Sequence, residues 1–210
     1  WTPFPAPSLS LEDSLSSEFA EWKGKRHNCP WNGRVWPMTN SHLAEALALY
    51  AERLGDSQLQ AAAVSFIERF IKMMFFDGDA NRPNCFEHYN PFSGQECYYR
   101  GIDDYQHSWV VDLILKYVVG LRPAADGSLW FAPLPFDMDR FELTNLEFRG
   151  HSIEVRYDAS TGKRYRICVD GSELAFDRDD LPRLVLVGGG AVDLGESERE
   201  HRLRCKRGIS

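Results

Sequence analysis

The chain has 210 residues, of which 43% are hydrophobic, so it can bury a core in one large domain or two small ones. Its net charge of -7 argues against a nucleic-acid partner, because phosphate binding requires an excess of Lys and Arg on one face. No apolar run approaches the ~20 residues of a membrane span, and the five cysteines show no metal-binding spacing.

Apolar residues recur at helical spacing up to Gly120, which predicts four helices. The first follows Ser8 or Ser10 as its N-cap and extends over residues 11–22. Its apolar face is formed by Leu11, Leu15, Phe19 and Trp22.

The second helix begins after Pro37, with Thr39 or Asn40 as its cap, and ends at Gly55. One stripe along it is apolar and consists of Leu43, Leu47, Tyr50 and Leu54. Asp56 then caps a third helix, whose apolar residues cover nearly half its circumference. They are Leu59, Ala63, Phe66, Ile67, Phe70, Ile71 and Met74. The short connection predicts a helical hairpin.

An irregular stretch from Asp77 to Gln106 separates this hairpin from a fourth helix, predicted from His107 to Val119. A loop of this length is usually functional or disordered, and its aromatic content argues against disorder. We therefore expect an ordered loop at a site.

After residue 122 the pattern changes to short alternating segments separated by turn residues, which predicts antiparallel strands. These segments are residues 128–132, 151–157, 165–169 and 184–187. We therefore predict two domains, a helical one at 1–122 and a small antiparallel β domain at 123–210.

Three clusters offer functional side chains, and each has a structural alternative. Residues 31–37 place Trp31, Arg34 and Trp36 around Gly33, as in a sugar-stacking platform or a loop that plugs a helical core. Glu87 lies among aromatic residues, which desolvate a carboxylate as a general base requires, but it could equally precede a surface turn.

The third cluster stands at the start of the fourth helix, where Asp103 and Asp104 precede Gln106, His107 and Trp109. These groups offer the hydrogen bonds that sugar hydroxyls need. Alternatively, the carboxylates are ordinary helix caps, stabilised by the helix dipole.

In order and spacing, these segments resemble the carboxyl-terminal half of (α/α)6-barrel glycoside hydrolases, namely the trehalase, processing α-glucosidase and mannosylglycerate-hydrolase-like group. The motifs that carry the resemblance are WNGRVWP at 31–37, EHYNPFSG at 87–94 and DYQHSW at 104–109. The resemblance implies a mainly α then β fold, with a partial (α/α)6 toroid followed by a small β domain. It also implies a small carbohydrate substrate, such as an α-glucoside. No cofactor is expected, and no metal either, because no second His lies four residues from His107 and no HxH pair appears nearby.

By the same resemblance, Glu87 is the general base of an inverting hydrolase. The implied substrate-binding residues are Trp31, Gly33, Arg34, Trp36, Tyr89, Gln106, His107 and Trp109. The general acid of that group is an Asp from the earlier half of the barrel, and this chain has no counterpart.

Four helices cannot close a ring of twelve, so the chain is expected to be a fragment whose apolar helix faces are covered by a missing amino-terminal segment or another chain. A non-catalytic carbohydrate-binding or scaffold fragment is the alternative function. Localisation stays open, with the cytoplasm as the default in the absence of a glycosylation sequon.

Overall fold

The computed structural model describes residues 1–17, 31–76, 79–97, 105, 109–125, 127–176, 183–187 and 191–195. The chain divides into two compact units, Trp1–Ile114 and Leu115–Ser210. Among the described helices, none combines the length and the apolar character that crossing a membrane requires.

The first unit is built on a helical hairpin of α1, Pro37–Leu54, and α2, Ser57–Met73. Pro37 occupies the first turn of α1, where its missing N–H costs nothing and its fixed φ suits a helix. The N-cap is Trp36, so the prediction of Thr39 or Asn40 as the cap was wrong. Both of these side chains instead donate hydrogen bonds to the carbonyl oxygen of Trp36, at 3.1 and 2.9 Å.

The connection between the helices follows the prediction. Gly55 ends α1 in the left-handed conformation, with φ 65°. Asp56 caps α2, since its Oδ1 accepts hydrogen bonds from the backbone N–H of Gln58 at 2.8 Å and of Leu59 at 3.1 Å. The hairpin is thus specified by two adjacent residues.

The apolar faces of the two helices have different surroundings. On α2 the buried residues are large: Phe66, Ile67, Phe70 and Met73, together with Ala63. On α1 the buried residues are small or polar: Pro37, Asn40, Ser41, Ala44, Ala48 and Ala51. The predicted apolar stripe of α1 is largely exposed at Leu43, Tyr50 and Leu54.

The first predicted helix is wrong over the part that can be judged, because residues 11–15 form turns. Asp13 Oδ1 accepts a hydrogen bond from the N–H of Leu15 at 2.8 Å, and Ser10 Oγ accepts one from Glu12 at 3.3 Å. Short polar side chains of this kind compete with the helical backbone for its hydrogen bonds. The rest of that prediction, including Phe19 and Trp22, lies outside the described residues.

The amino-terminal segment instead runs as an extended strap over the unit. Thr2 accepts a hydrogen bond from Arg69 on α2 at 3.2 Å, and Ala6 accepts one from Asn40 on α1 at 3.1 Å. The ring of Trp1 packs edge-on against Phe66, with centroids 5.6 Å apart. The strap and the hairpin enclose an apolar pocket of about 260 Å³.

The predicted fourth helix is present in its described part. It consists of α3, Trp109–Leu113, and a π-helical segment, Ile114–Val119. Gly120 closes it with φ 94° and donates a hydrogen bond to the carbonyl of Leu115 at 3.0 Å.

The second unit contains two antiparallel four-stranded sheets. The first has the order β1-β2-β7-β8 and comprises β1 Leu121–Pro123, β2 Leu129–Phe131, β7 Arg183–Val187 and β8 Ala191–Gly195. The second has the order β3-β4-β5-β6 and comprises β3 Arg140–Phe148, β4 His151–Asp158, β5 Tyr165–Val169 and β6 Ser172–Phe176. The four predicted strands correspond to β2, β4, β5 and β7. The other four were not predicted.

The predicted fold class is therefore wrong. Over the described residues, the secondary structure comprises one helical hairpin, one short helical segment and two antiparallel sheets, a mixed α/β architecture in place of a partial (α/α)6 toroid. A toroid needs successive helical hairpins. Here residues 11–15 form turns, and the described part of the long loop pairs by backbone bridges.

Candidate active site

The first two sequence clusters meet through an antiparallel backbone bridge in the first unit. Val35 and Tyr89 exchange two N–H to carbonyl hydrogen bonds, both of 2.9 Å. Tyr89 also forms a bridge with Glu96, and the N–H of Cys97 donates to the carbonyl of His88 at 3.0 Å. Segments more than 50 residues apart in the sequence are thus held in one short three-stranded arrangement.

Next to this bridge, three rings pack in succession. The indoles of Trp31 and Trp36 stack with centroids 4.0 Å apart and an interplanar angle of 3°. The imidazole of His88 follows Trp36 at 5.1 Å, tilted by 51°. His88 is fully buried and Trp36 nearly so, whereas Trp31 is 39% exposed. Trp31 is therefore the ring of the three that is most open to a ligand.

Glu87 lies in a bend between two buried residues, Phe86 and His88, and is itself of intermediate exposure. The Tyr89 hydroxyl accepts a hydrogen bond from the N–H of Phe86 at 2.5 Å and donates one to the carbonyl of Asn84. Asn84 in turn donates from its N–H to Met74, at the end of α2, at 2.8 Å. Buried hydrogen bonds on both sides of Glu87 therefore fix the backbone that carries it.

The turn that follows Glu87 is stabilised by its own side chains. Asn90 Oδ1 accepts hydrogen bonds from the N–H groups of Phe92 at 2.8 Å and Ser93 at 3.1 Å. Gly94 closes the turn with φ 68°, and the Phe4 ring of the amino-terminal strap lies so close that a side chain at Gly94 would collide with it.

Gly33 brings its backbone close to another part of this chain. A Cβ built on Gly33 would lie 2.9 Å from Ser16 Oγ, and the backbone has φ 126°. Its N–H donates to Ser8 Oγ at 3.2 Å. The absence of a side chain at Gly33 thus allows a close approach to the segment that precedes the site.

Arg34 and Tyr89 are also buried, at 3% and 0% exposure. Burial raises the pKa of the nearby Cys97 thiol to about 11; the positive charge of Arg34 lowers that pKa, and Glu96 raises it. Arg34 therefore lies within the electrostatic reach of a buried thiol. Of the cysteines that the structure describes, Cys85, Cys97 and Cys168 form no disulfide bond.

The ring of Trp109 lies 6.4 Å from that of His42 on α1. It is partly exposed, as is Tyr105, whose N–H donates to the carbonyl of Cys85 at 2.8 Å. The predicted site residues Gln106 and His107 lie outside the described residues, as do Asp103 and Asp104. Within the described ranges, no three His, Cys, Asp or Glu side chains group as metal ligands do.

The structure therefore links Glu87, through its neighbour His88, to Trp36 and Trp31. Sequence reasoning missed His88, although it adjoins Glu87. The contact between His88 and Trp36 leaves no local signal in the sequence, because these residues are far apart along the chain and are brought together by the Val35–Tyr89 bridge.

A comparison with protein families finds a match over the part of the chain that contains Glu87 and the ring stack. Residues 1–108 match the family model described as the mannosylglycerate hydrolase MGH1-like glycoside hydrolase domain. Among solved structures, the chain is similar to one titled "Sialidase", with a TM-score of 0.56 and 25% sequence identity. That similarity covers 84% of this chain and 17% of the solved chain, so this chain spans a small part of the length of the protein it matches. No curated protein matches it.

Proposed function

The chain belongs to the mannosylglycerate hydrolase MGH1-like glycoside hydrolase family, and on that premise we propose that Glu87 is the general base of an inverting hydrolase. Family membership makes it a carbohydrate-processing protein; the reaction geometry and the substrate are our proposal. One observation carries it. Glu87 stands, half-buried, on backbone fixed by buried hydrogen bonds, next to a ring stack that ends in the exposed Trp31.

The ring stack suits sugar binding. The exposed face of an indole packs against the C–H groups of a pyranose, and a ring supported from behind by Trp36 loses little freedom when the sugar binds. His88 in turn supports Trp36 and adjoins the proposed base. In this proposal the sugar contacts Trp31, and Arg34 and Tyr89 stabilise the loops from within.

The proposed reaction needs two carboxyl groups. Glu87 removes a proton from a water molecule, which attacks the anomeric carbon, while a carboxylic acid protonates the departing glycosidic oxygen on the opposite face. Inversion requires the two groups about 6.5–9.5 Å apart, which leaves room for the water. We propose that the acid is supplied by a part of the protein outside this chain.

The apolar stripe on α1 fits that proposal. Leu43, Tyr50 and Leu54 are exposed on one helix, as expected for a surface that another segment or chain covers. For the substrate we propose a small α-linked glycoside. The family name adds mannosylglycerate as a compound to test first.

The experiment is to compare Glu87→Gln with the unchanged protein, expressed at its full length, on α-glucosides and mannosylglycerate. Loss of a general base should lower kcat about 10²–10⁴-fold while sugar binding, measured by calorimetry, is retained. Glu12→Gln, a change of the same kind at an exposed turn, is the control and should leave kcat unaltered. Unchanged turnover of Glu87→Gln would contradict the assignment.

The same measurements separate the alternative, a non-catalytic carbohydrate-binding fragment. It predicts that the full-length protein binds sugar but turns none over, with Trp31→Ala abolishing binding. Product analysis by NMR then tests inversion, since the first product formed must have the anomeric configuration opposite to that of the substrate.

A further inference from the structure

The outer face of the second sheet, in the other unit, carries a groove of about 660 Å³ lined by arginines. Its charged residues are Arg140, Arg156, Arg164, Arg166, Glu142 and Asp158. With four positive and two negative side chains, the groove is locally positive, whereas the whole chain has a net charge of -7.

The strand register explains how these arginines come together. Along β4, Ile153, Val155 and Tyr157 point into the core, so the residues between them point outward. Arg156 lies directly opposite Arg166 on β5. A pair of like charges at opposite positions of neighbouring strands is unfavourable. The sheet therefore retains an arrangement that costs stability.

The available carboxylates offset this charge only in part. Arg156 forms ion pairs with Glu142 at 2.7 Å and with Glu154 at 3.3 Å. On the far side of Arg166, the partner across the strand is Ala175. In the portion of the chain that the structure describes, no carboxylate oxygen lies within 4.0 Å of a guanidinium nitrogen of Arg140, Arg164 or Arg166.

Asp158 is the carboxylate between these arginines, and its own turn engages it. Asp158 Oδ1 accepts hydrogen bonds from the Ser160 N–H at 2.9 Å and the Ser160 hydroxyl at 2.6 Å. These two bonds, and then the charges of Arg140 and Arg166, lower the pKa of Asp158. Both arginines are thus near this carboxylate without forming an ion pair with it.

We propose that this groove is a second carbohydrate site, which binds an acidic oligosaccharide through its carboxylate groups. Arg140, Arg164 and Arg166 supply the charged donors, since a guanidinium binds a carboxylate through two parallel hydrogen bonds. The choice of a glycan over other anions rests on the family; the anion site itself is independent of the role of Glu87.

The test is calorimetric titration of the full chain at low salt with a galacturonic acid hexamer and with its fully methyl-esterified, uncharged form. The acidic hexamer should bind, its affinity should fall as salt is raised, and the ester should not bind. The double variant Arg140→Gln/Arg166→Gln should weaken binding about a hundredfold, because each of the two charge-assisted contacts contributes about tenfold. Arg53→Gln/Arg149→Gln removes the same charge elsewhere and should bind normally.

Absence of binding by the acidic hexamer, equal binding of the ester, or an equal loss in the control variant would overturn the proposal. Equal affinity for a single-stranded DNA 12-mer would overturn the glycan assignment. The thermal midpoint gives an independent readout: Arg166→Gln removes the like-charge pair and should hold or raise it. A lowered midpoint would show that Arg166 serves the fold, and the proposal would fail.

Discussion

Helices α1 and α2 follow one another in the hairpin, yet they bury opposite kinds of residue. The buried face of α2 contains Phe66, Ile67 and Phe70, whereas that of α1 contains Ala44, Ala48 and Ala51. Small residues at spacings of four and three let a neighbouring helix approach closely, and large ones fill the space this creates. An apolar stripe in a sequence therefore identifies a face, but it does not say whether that face is the one that packs within the chain.

The largest expected change in stability comes from comparing a substitution on the buried face of α2 with one on the exposed stripe of α1. Phe70 is fully buried on α2, so Phe70→Ala should lower the free energy of unfolding by about 3–5 kcal/mol through lost burial and a cavity. Leu54→Ala, at an exposed position of α1, should change it by less than about 0.5 kcal/mol. Urea denaturation of the full chain measures both. A comparable loss from Leu54→Ala would mean that the α1 stripe belongs to the core.

An intermediate effect tests whether the alanine face of α1 is the packed one. Ala48 is fully buried, so Ala48→Leu should overpack the interface and cost about 1–3 kcal/mol. Ala46 lies on the same helix and is exposed, which makes Ala46→Leu the matched control, with an expected change within about 0.5 kcal/mol. If Ala48→Leu were tolerated as well as the control, the close approach of α1 to its neighbours would be in doubt.

The smallest effect concerns Asp56, at the junction between α1 and α2. Asp56→Ala removes the cap of α2 and should cost about 1 kcal/mol, because the N–H groups of Gln58 and Leu59 lose their acceptor. Asp56→Asn keeps an acceptor oxygen and should restore most of the stability. Thermal unfolding of the three proteins measures the difference. Equal midpoints would indicate that packing alone fixes the start of α2.

The candidate site shows a similar division between local and distant causes. The sequence motifs predicted Glu87, Trp31 and Trp36 as site residues, but the same reasoning did not predict the tertiary contacts around them. His88 contacts Trp36 because residues 35 and 89 form a bridge, and Gly33 faces Ser16 because the amino-terminal segment folds over it. Neither contact follows from spacing along the chain.

By itself, the sequence determined the features that depend on neighbours a few residues apart. These include the end of α1 at Gly55, the cap at Asp56, the buried face of α2 and the alternation of β4 and β5. Their cause is local: backbone conformation, a side chain bonding to the next turn, and a periodic apolar pattern.

Tertiary structure alone decided the rest. It left the α1 stripe exposed and replaced the expected toroid with a mixed α/β architecture. It also set Arg156 opposite Arg166, which neither strand reveals on its own. The physical reason is that burial, ring stacking and charge pairing depend on which segments become neighbours, and that choice is a property of the whole chain.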